Sequence, residues 1–443
     1  MWDSIFSIYT TVPDEPINYH AQDLIDNHFT KFPLHNNLHL RYDTYIVIYL
    51  GQISKLSKSN YILEGGHIGN NGNKFPYLIF KTPKEKIMYK RYFTVFSILI
   101  ILVLVLSACG GAGTEEEQVV EAPPVEEGIL SRVLERGYVV CGGRTDLAGF
   151  GMLDENGRNS GFDIDFCRAV AAAVFGDAEA IEVVPLTAAD RGPALQTAEV
   201  DILSRNVTWT SSRDAQWGNF TNVMFYDGQG FMIRKDSGIT STDEFGGATV
   251  CVTSGTTTEQ NLSDFFRQNG MDYEAVIFEE TAAVYSAYEE GRCDITTSDK
   301  SQLASVRSGF ADPDAHIILD ITISKEPLTP GVPHGDDKWF DIVKLVSFAL
   351  INAEELGVTQ ANVEEMKSSE NINVLRLLGE EGDWGYTDLG LEPDALANAI
   401  AAVGNYGEVY DRYMGPQGIS FTLPRGPNNL WSEGGLIYAP PIK

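Results

Sequence analysis

Three short polar stretches carry residue types suited to holding a small charged molecule. The first, SRNVTWTSSR at 204–213, sets hydroxyls and two arginines close together. An arginine offers a planar, two-pronged donor for a carboxylate. The second, SGTTTE at 254–259, runs into a helical pattern. Its glycine allows close backbone approach, and free N–H groups at a helix start favour an anion. The third, TTSD at 296–299, ends in an acid able to take an ammonium group. Singly, each stretch reads as a helix cap or a surface turn. Together they supply donors for a carboxylate from two regions and one partner for an ammonium. Arg205 reads as a charge on the surface of its lobe.

These stretches need elements that bring them together. From Gly137 onward the chain alternates short apolar runs with amphipathic ones. Strands are expected at Tyr138 to Cys141, Ile181 to Val184 and Val200 to Leu203, with helices at Phe162 to Phe175 and Arg191 to Ala198. The pattern recurs. Strands at Ala248 to Val252, Val276 to Phe278 and Cys293 to Thr296 enclose helices at Thr257 to Gln268 and Ala282 to Glu290. Such alternation argues for parallel sheets flanked by helices. ALQTAEVDILSRN at 194–206 can be laid over AYEEGRCDITTSD at 287–299. In each, a helix turns into a strand through an aspartate, Asp201 or Asp294, and the strand ends in polar residues. Ligands of open α/β sheets bind beyond the carboxyl ends of strands. Asn206 and Asp299 are therefore expected on two lobes facing one cleft.

The N-terminal part has a different character. Lys90 and Arg91 precede an apolar run from Thr94 to Leu106, the length of a signal-peptide core and too short to span a bilayer. The run ends in LSAC, similar to a bacterial lipobox, which makes Cys109 the expected site of lipidation and anchors the exported chain to the membrane. Residues 88–108 then form a lipoprotein signal peptide. An acidic tether with paired prolines follows at 109–127. Residues 1–87 hold five of the seven histidines and a single alanine, and show no sustained periodicity. They are expected to be an extension upstream of the working protein. The chain of 443 residues carries a formal net charge of −30, which argues against nucleic acid as a partner.

Four cysteines remain in the exported part: Cys141, Cys167, Cys251 and Cys293. They allow three pairings. We prefer Cys141–Cys167 and Cys251–Cys293, because each closes a local loop inside one lobe. No CxxC spacing or neighbouring histidine supports a metal site, and no phosphate loop or hydrolase motif is present. No cofactor is expected.

Longer stretches carry a family resemblance. GFDIDFCRAVAAAVFGD, PALQTAEVDILSRNVTWTSSRD, YDGQGFMI, VCVTSGTTTEQNL, GRCDITTSD, HGDDKWFDIV, FALINAEELGVT, VGNYGEVYDRY and GGLIYAPP span about 130–443. This part resembles the extracellular solute-binding proteins of polar amino-acid ABC transporters, and most closely the general L-amino acid-binding subgroup. The resemblance implies an α/β, two-lobed type II periplasmic-binding-protein fold with two crossover strands and a central cleft. Lobe one would take 128–229 and, on its return, 327–443; lobe two would take 230–326. The crossovers are expected near Tyr226–Phe231 and Ser324–Leu328. The resemblance also implies that Arg213 grips an α-carboxylate, helped by Thr208 and by Thr256 or Thr257. Asp299 would bind the α-ammonium beside Asn206, and Leu147, Phe150 and Arg191 would lie near the ligand side chain. The implied function is capture of L-amino acids outside the cytoplasm and delivery to a transporter permease. A sensor module for a membrane receptor and a dehydratase-like enzyme on the same fold are the alternatives.

Overall fold

The computed structural model describes residues 128–443. Before them it gives only the backbone of five short strands: Ile5–Ser7, Asn18–His20, Val47–Tyr49, Leu63–Ile68 and Phe75–Phe80. These pair antiparallel, where the sequence shows no sustained alternation. Three of them are three residues long, too short for a period of two to register. The signal segment, Cys109 and the tether lie outside the described residues.

Within 128–443 there are two five-stranded sheets. In the first, Ile181–Pro185, Val139–Gly143 and Ile202–Leu203 run parallel, and Gly331–Val332 and Asn219–Phe220 complete it. In the second, Glu274–Phe278, Thr249–Thr253 and Ile295–Asp299 run parallel, with Gln229–Arg234 and His316–Ile318 joining antiparallel. The expected strands and helices of both units form, with ends displaced by a few residues. Between the sheets, Phe225–Asp227 pairs antiparallel with Glu326–Leu328, so the outgoing and returning crossovers lie side by side. A small three-stranded sheet, Asp146–Leu147, Gly151–Leu153 and Asn159–Ser160, was not expected.

The repeat read from sequence has a shared structural cause. Asp201 accepts a hydrogen bond from the Val140 backbone N–H at 2.7 Å, and Asp294 accepts from the Thr249 N–H at 2.9 Å. Each aspartate ties the start of its strand to the neighbouring parallel strand. That fixes register and sends both strand ends towards the same face. Asp201 is further held by Arg136 and Arg132.

Lobe one is the thicker layer. The helix Phe162–Phe175 is buried almost throughout, because the C-terminal helix Ala395–Val403 packs on the side away from the sheet. The helices Asp337–Glu355 and Tyr406–Met414 close the same core, and the Trp339 indole donates to Asp201 O. Tyr406, Tyr410 and Tyr413 are buried and serve packing, whereas Trp431 is exposed.

The disulfides Cys141–Cys167 and Cys251–Cys293 form as preferred, the first pinning the helix Phe162–Phe175 to its sheet. Their loops span 26 and 42 residues. In the chain-entropy picture the longer closure is worth about 4 kcal/mol. A Cys251→Ser, Cys293→Ser variant should therefore melt well below the parent under oxidising conditions. Calorimetry showing equal melting of the two would refute a stabilising role.

Candidate functional site

The carboxyl ends of both sheets meet at one polar cavity. Asn206 and Asp299, the two strand ends predicted to face each other, both line it. Thr208, Thr256, Thr257 and Arg191 line it as well. Asn206 holds a left-handed backbone with φ of 36°, a conformation asparagine tolerates better than most residues. Its N–H donates to Asp163 at 2.7 Å. Burial pushes the Asp163 carboxyl up to about 6.

The second lobe contributes the turn before the helix Thr257–Asn269. Gly255 has φ of 70°, and a Cβ there would come within 3.6 Å of the Ala189 backbone on lobe one. That distance is ordinary contact, so the left-handed backbone, and not the close approach expected of it, calls for glycine here. Thr256 caps the helix by accepting from the Glu259 N–H, so the next N–H groups, at Thr257 and Thr258, are without helical partners. The Thr257 and Thr208 hydroxyls both donate to one oxygen of Glu326, at 2.8 and 2.6 Å. Glu326 sits on the returning crossover and also accepts from Asn261 and Ser324. One carboxyl group thereby ties lobe one, lobe two and the hinge.

Asp299 ends the strand Ile295–Asp299 opposite Gln229, is 6% exposed, and has no partner for Oδ1 among the described residues. Burial, with Asp227 and Glu326 nearby, pushes its carboxyl well above the ordinary range. Asp227 is itself pushed up to about 6 by burial. Facing these acids is a group of guanidiniums. Arg213 donates to Thr208 O at 3.0 Å and lies 4.7 Å above the Trp217 ring; Arg191 lies on the same ring at 5.9 Å. Arg213 stands behind the cavity wall and not in its lining, with Asp299 and Glu326 near enough to act on its charge. Burial lowers the affinity of Arg213 and, far more, of Arg191 for their protons.

Two expectations meet a different arrangement. Leu147 and Phe150 are not brought to this cavity. Both are buried in the core of lobe one, where the Phe150 ring packs edge-on against Phe162 and Phe225. Arg205 is not a surface charge. It is 5% exposed, donates to Leu186 O at 2.6 Å and lines the cavity. The strand before it is two residues long, so the chain is still inside the lobe at Arg205.

Sequence reasoning missed Arg144, Gln302 and Glu326. Arg144 follows the carboxyl end of Val139–Gly143, so the rule that located Asn206 could have found it. It reaches Asn206 on its own lobe at 3.2 Å and Gln302 on the other at 3.0 Å.

Two α/β lobes, joined by paired crossovers and closed over a polar cavity, define a hinged binding protein. The family model of the bacterial extracellular solute-binding proteins, family 3, matches residues 139–375, over half of the chain, and the chain belongs to that family. It is similar to the general L-amino acid-binding periplasmic protein AapJ of Rhizobium johnstonii, with 52% identity over 71% of this chain and 92% of that protein. It is similar also to the putative amino-acid ABC transporter-binding protein YhdW of Escherichia coli K12, at 47% identity over the same shares. Among solved structures, an ABC transporter periplasmic binding protein from Brucella ovis with glutathione bound is 48% identical. It has a TM-score of 0.69 and covers 71% of this chain and 99% of that one.

Proposed function

We propose that this chain captures L-amino acids outside the cytoplasm and presents them to the permease of an ABC transporter, held at the membrane by lipid on Cys109. The observation that carries this reading is the meeting of an unpaired buried carboxyl, Asp299 Oδ1, with a helix N-terminus and buried guanidiniums across one cleft. The α-ammonium would take Asp299, with Asn206 beside it. The α-carboxylate would lie towards Arg213 and the first N–H groups of the helix Thr257–Asn269. The hydroxyl protons of Thr208 and Thr257 already go to Glu326, so these threonines offer the ligand acceptor oxygens. Their expected help to the carboxylate would then come from backbone N–H groups. Contacts from both lobes make the ligand favour the closed form. The names of the relatives support transport over sensing or catalysis, and the reading assigns no bond-breaking step to any residue.

Calorimetry on the purified full chain tests this. At least one standard L-amino acid should bind at micromolar concentration, about −8 kcal/mol. Arg213→Ala should weaken that binding roughly 30-fold or more, the cost of removing one partner of a buried charge pair. No heat with any standard amino acid would refute the reading. Unchanged affinity in Arg213→Ala would remove that residue from the site.

A further inference from the structure

Arg213, which the amino-acid reading sets against the ligand carboxylate, is lightly held. Its guanidinium makes one hydrogen bond among the described residues, from Nη1 to Thr208 O at 3.0 Å. A long side chain with so few bonds keeps its fork aimed only if something else restricts its rotamers. The Trp217 ring supplies that restraint, with its centre 4.7 Å from Arg213 Cζ.

Spacing and packing both put the ring there. Arg213 belongs to the helix Ser211–Gln216 and Trp217 ends it, four residues on, so the two side chains share a face. The Trp217 N–H donates to Arg213 O at 2.7 Å, which ties one backbone group to the other. The ring is half-buried and packs on the core around Leu195 and Phe220. Arg191 lies over the same ring at 5.9 Å. Its neighbour Gly192 comes so close that a Cβ there would fall 2.6 Å from Trp217 Cε2. Gly192 sits inside the helix Arg191–Gln196, so its missing side chain answers to this ring and not to a turn. The ring is thus seated on the bare backbone of one helix and against the guanidinium of another.

We infer that Trp217 is a positioning residue: its ring, seated on Gly192, holds the Arg213 fork ready for the ligand's α-carboxylate. This rests on the amino-acid reading above. An aromatic face attracts a guanidinium, and more strongly where water is excluded. It restrains the cation without neutralising it, whereas a protein carboxylate in its place would take up both the charge and the donors. Every amino acid carries the α-carboxylate, so the ring should matter equally for each ligand, whatever its side chain.

Calorimetry of the full chain and its variants with the standard L-amino acids tests the inference. Trp217→Leu should weaken every amino acid that the parent binds by about tenfold, with the losses within about twofold of one another. Trp217→Phe, which keeps a ring, should recover most of that loss. Gly192→Ala keeps both arginines and the tryptophan but sets a methyl where the ring stands, and should weaken binding in the same sense. In an Arg213→Ala background, Trp217→Leu should cost less than about twofold more, since the ring then has no fork to hold. A thermal melt of each variant shows that it is folded, and if Trp217→Leu is not, Gly192→Ala decides. Parent affinity in Trp217→Leu or Gly192→Ala would overturn the inference. So would losses that multiply in the double variant, or a loss confined to particular side chains. Amino-acid binding itself would survive each of these results. No heat from the parent with any standard amino acid would overturn the amino-acid reading, and this inference with it.

Discussion

Asp299→Ala is expected to weaken amino-acid binding by about 30-fold at the least, since removing one partner of a buried charge pair costs about 2–5 kcal/mol. The residue ends a central strand, lies across from Gln229, and keeps one oxygen unpartnered in the cavity. Burial and the acids Asp227 and Glu326 hold its proton on in the unliganded protein. An ammonium at this position favours the ionised form, so binding should expel that proton. Affinity should then fall as pH drops through the free protein's Asp299 titration, which lies above the ordinary carboxyl value of 3.8. The sign for stability runs the other way. A carboxyl with a folded pKa raised above its unfolded one stabilises the fold below the unfolded value, and that contribution is lost as pH rises through the folded value. The ligand should therefore stabilise most on the alkaline side of this window. Calorimetry in buffers of differing ionisation enthalpy reads the proton directly. Asp299→Asn should remove both the affinity and its pH dependence. Proton release that persists in Asp299→Asn would assign the titration to another group, with Asp227 and Asp163 the nearest raised carboxyls.

The sequence exposed this site where a local rule was enough. Strand ends face the cleft, and the 194–206 and 287–299 stretches share the turn through Asp201 and Asp294. That placed Asn206 and Asp299 on opposite sides of one cavity, as the structure does. The same rule applies to Arg144, one residue past Val139–Gly143 and followed by the polar Thr145 and Asp146. Arg205 fails for a different reason. Its burial depends on Leu186 O and on the wall from Ala188, which belong to another strand and its loop. Leu147 and Phe150 were carried over by resemblance. The apolar matter around them, Phe162, Phe225 and the helix Tyr406–Met414, comes from distant parts of the chain and draws them into the core.

Glu326 was least legible and bears the second large expectation. Nothing marks one glutamate in SKEPLTP as special until the returning crossover is paired with the outgoing one. In the folded chain it is 1% exposed and accepts from Thr208 on lobe one, Thr257 and Asn261 on lobe two, and Ser324 on its own crossover. Alanine there would remove all four bonds and leave the Asn261 amide and three hydroxyls to find other acceptors. A hydrogen bond to a charged group contributes about 1.5–3 kcal/mol, and an orphaned buried donor costs about 1–3 kcal/mol. Glu326→Ala should thus destabilise the protein by about 3 kcal/mol or more, seen as a fall of several degrees in melting temperature. Glu326→Gln keeps the volume and one acceptor oxygen. The hydroxyls of Thr208 and Thr257 can rotate to accept from the new amide, so this variant should fall between parent and alanine. The pair separates a shape effect from an acceptor effect: if filling space were the whole role, glutamine would melt with the parent. If the crossover carboxyl ties the lobes through its acceptor oxygens, glutamine falls short of the parent, and an alanine variant that melts with the parent removes Glu326 from the hinge.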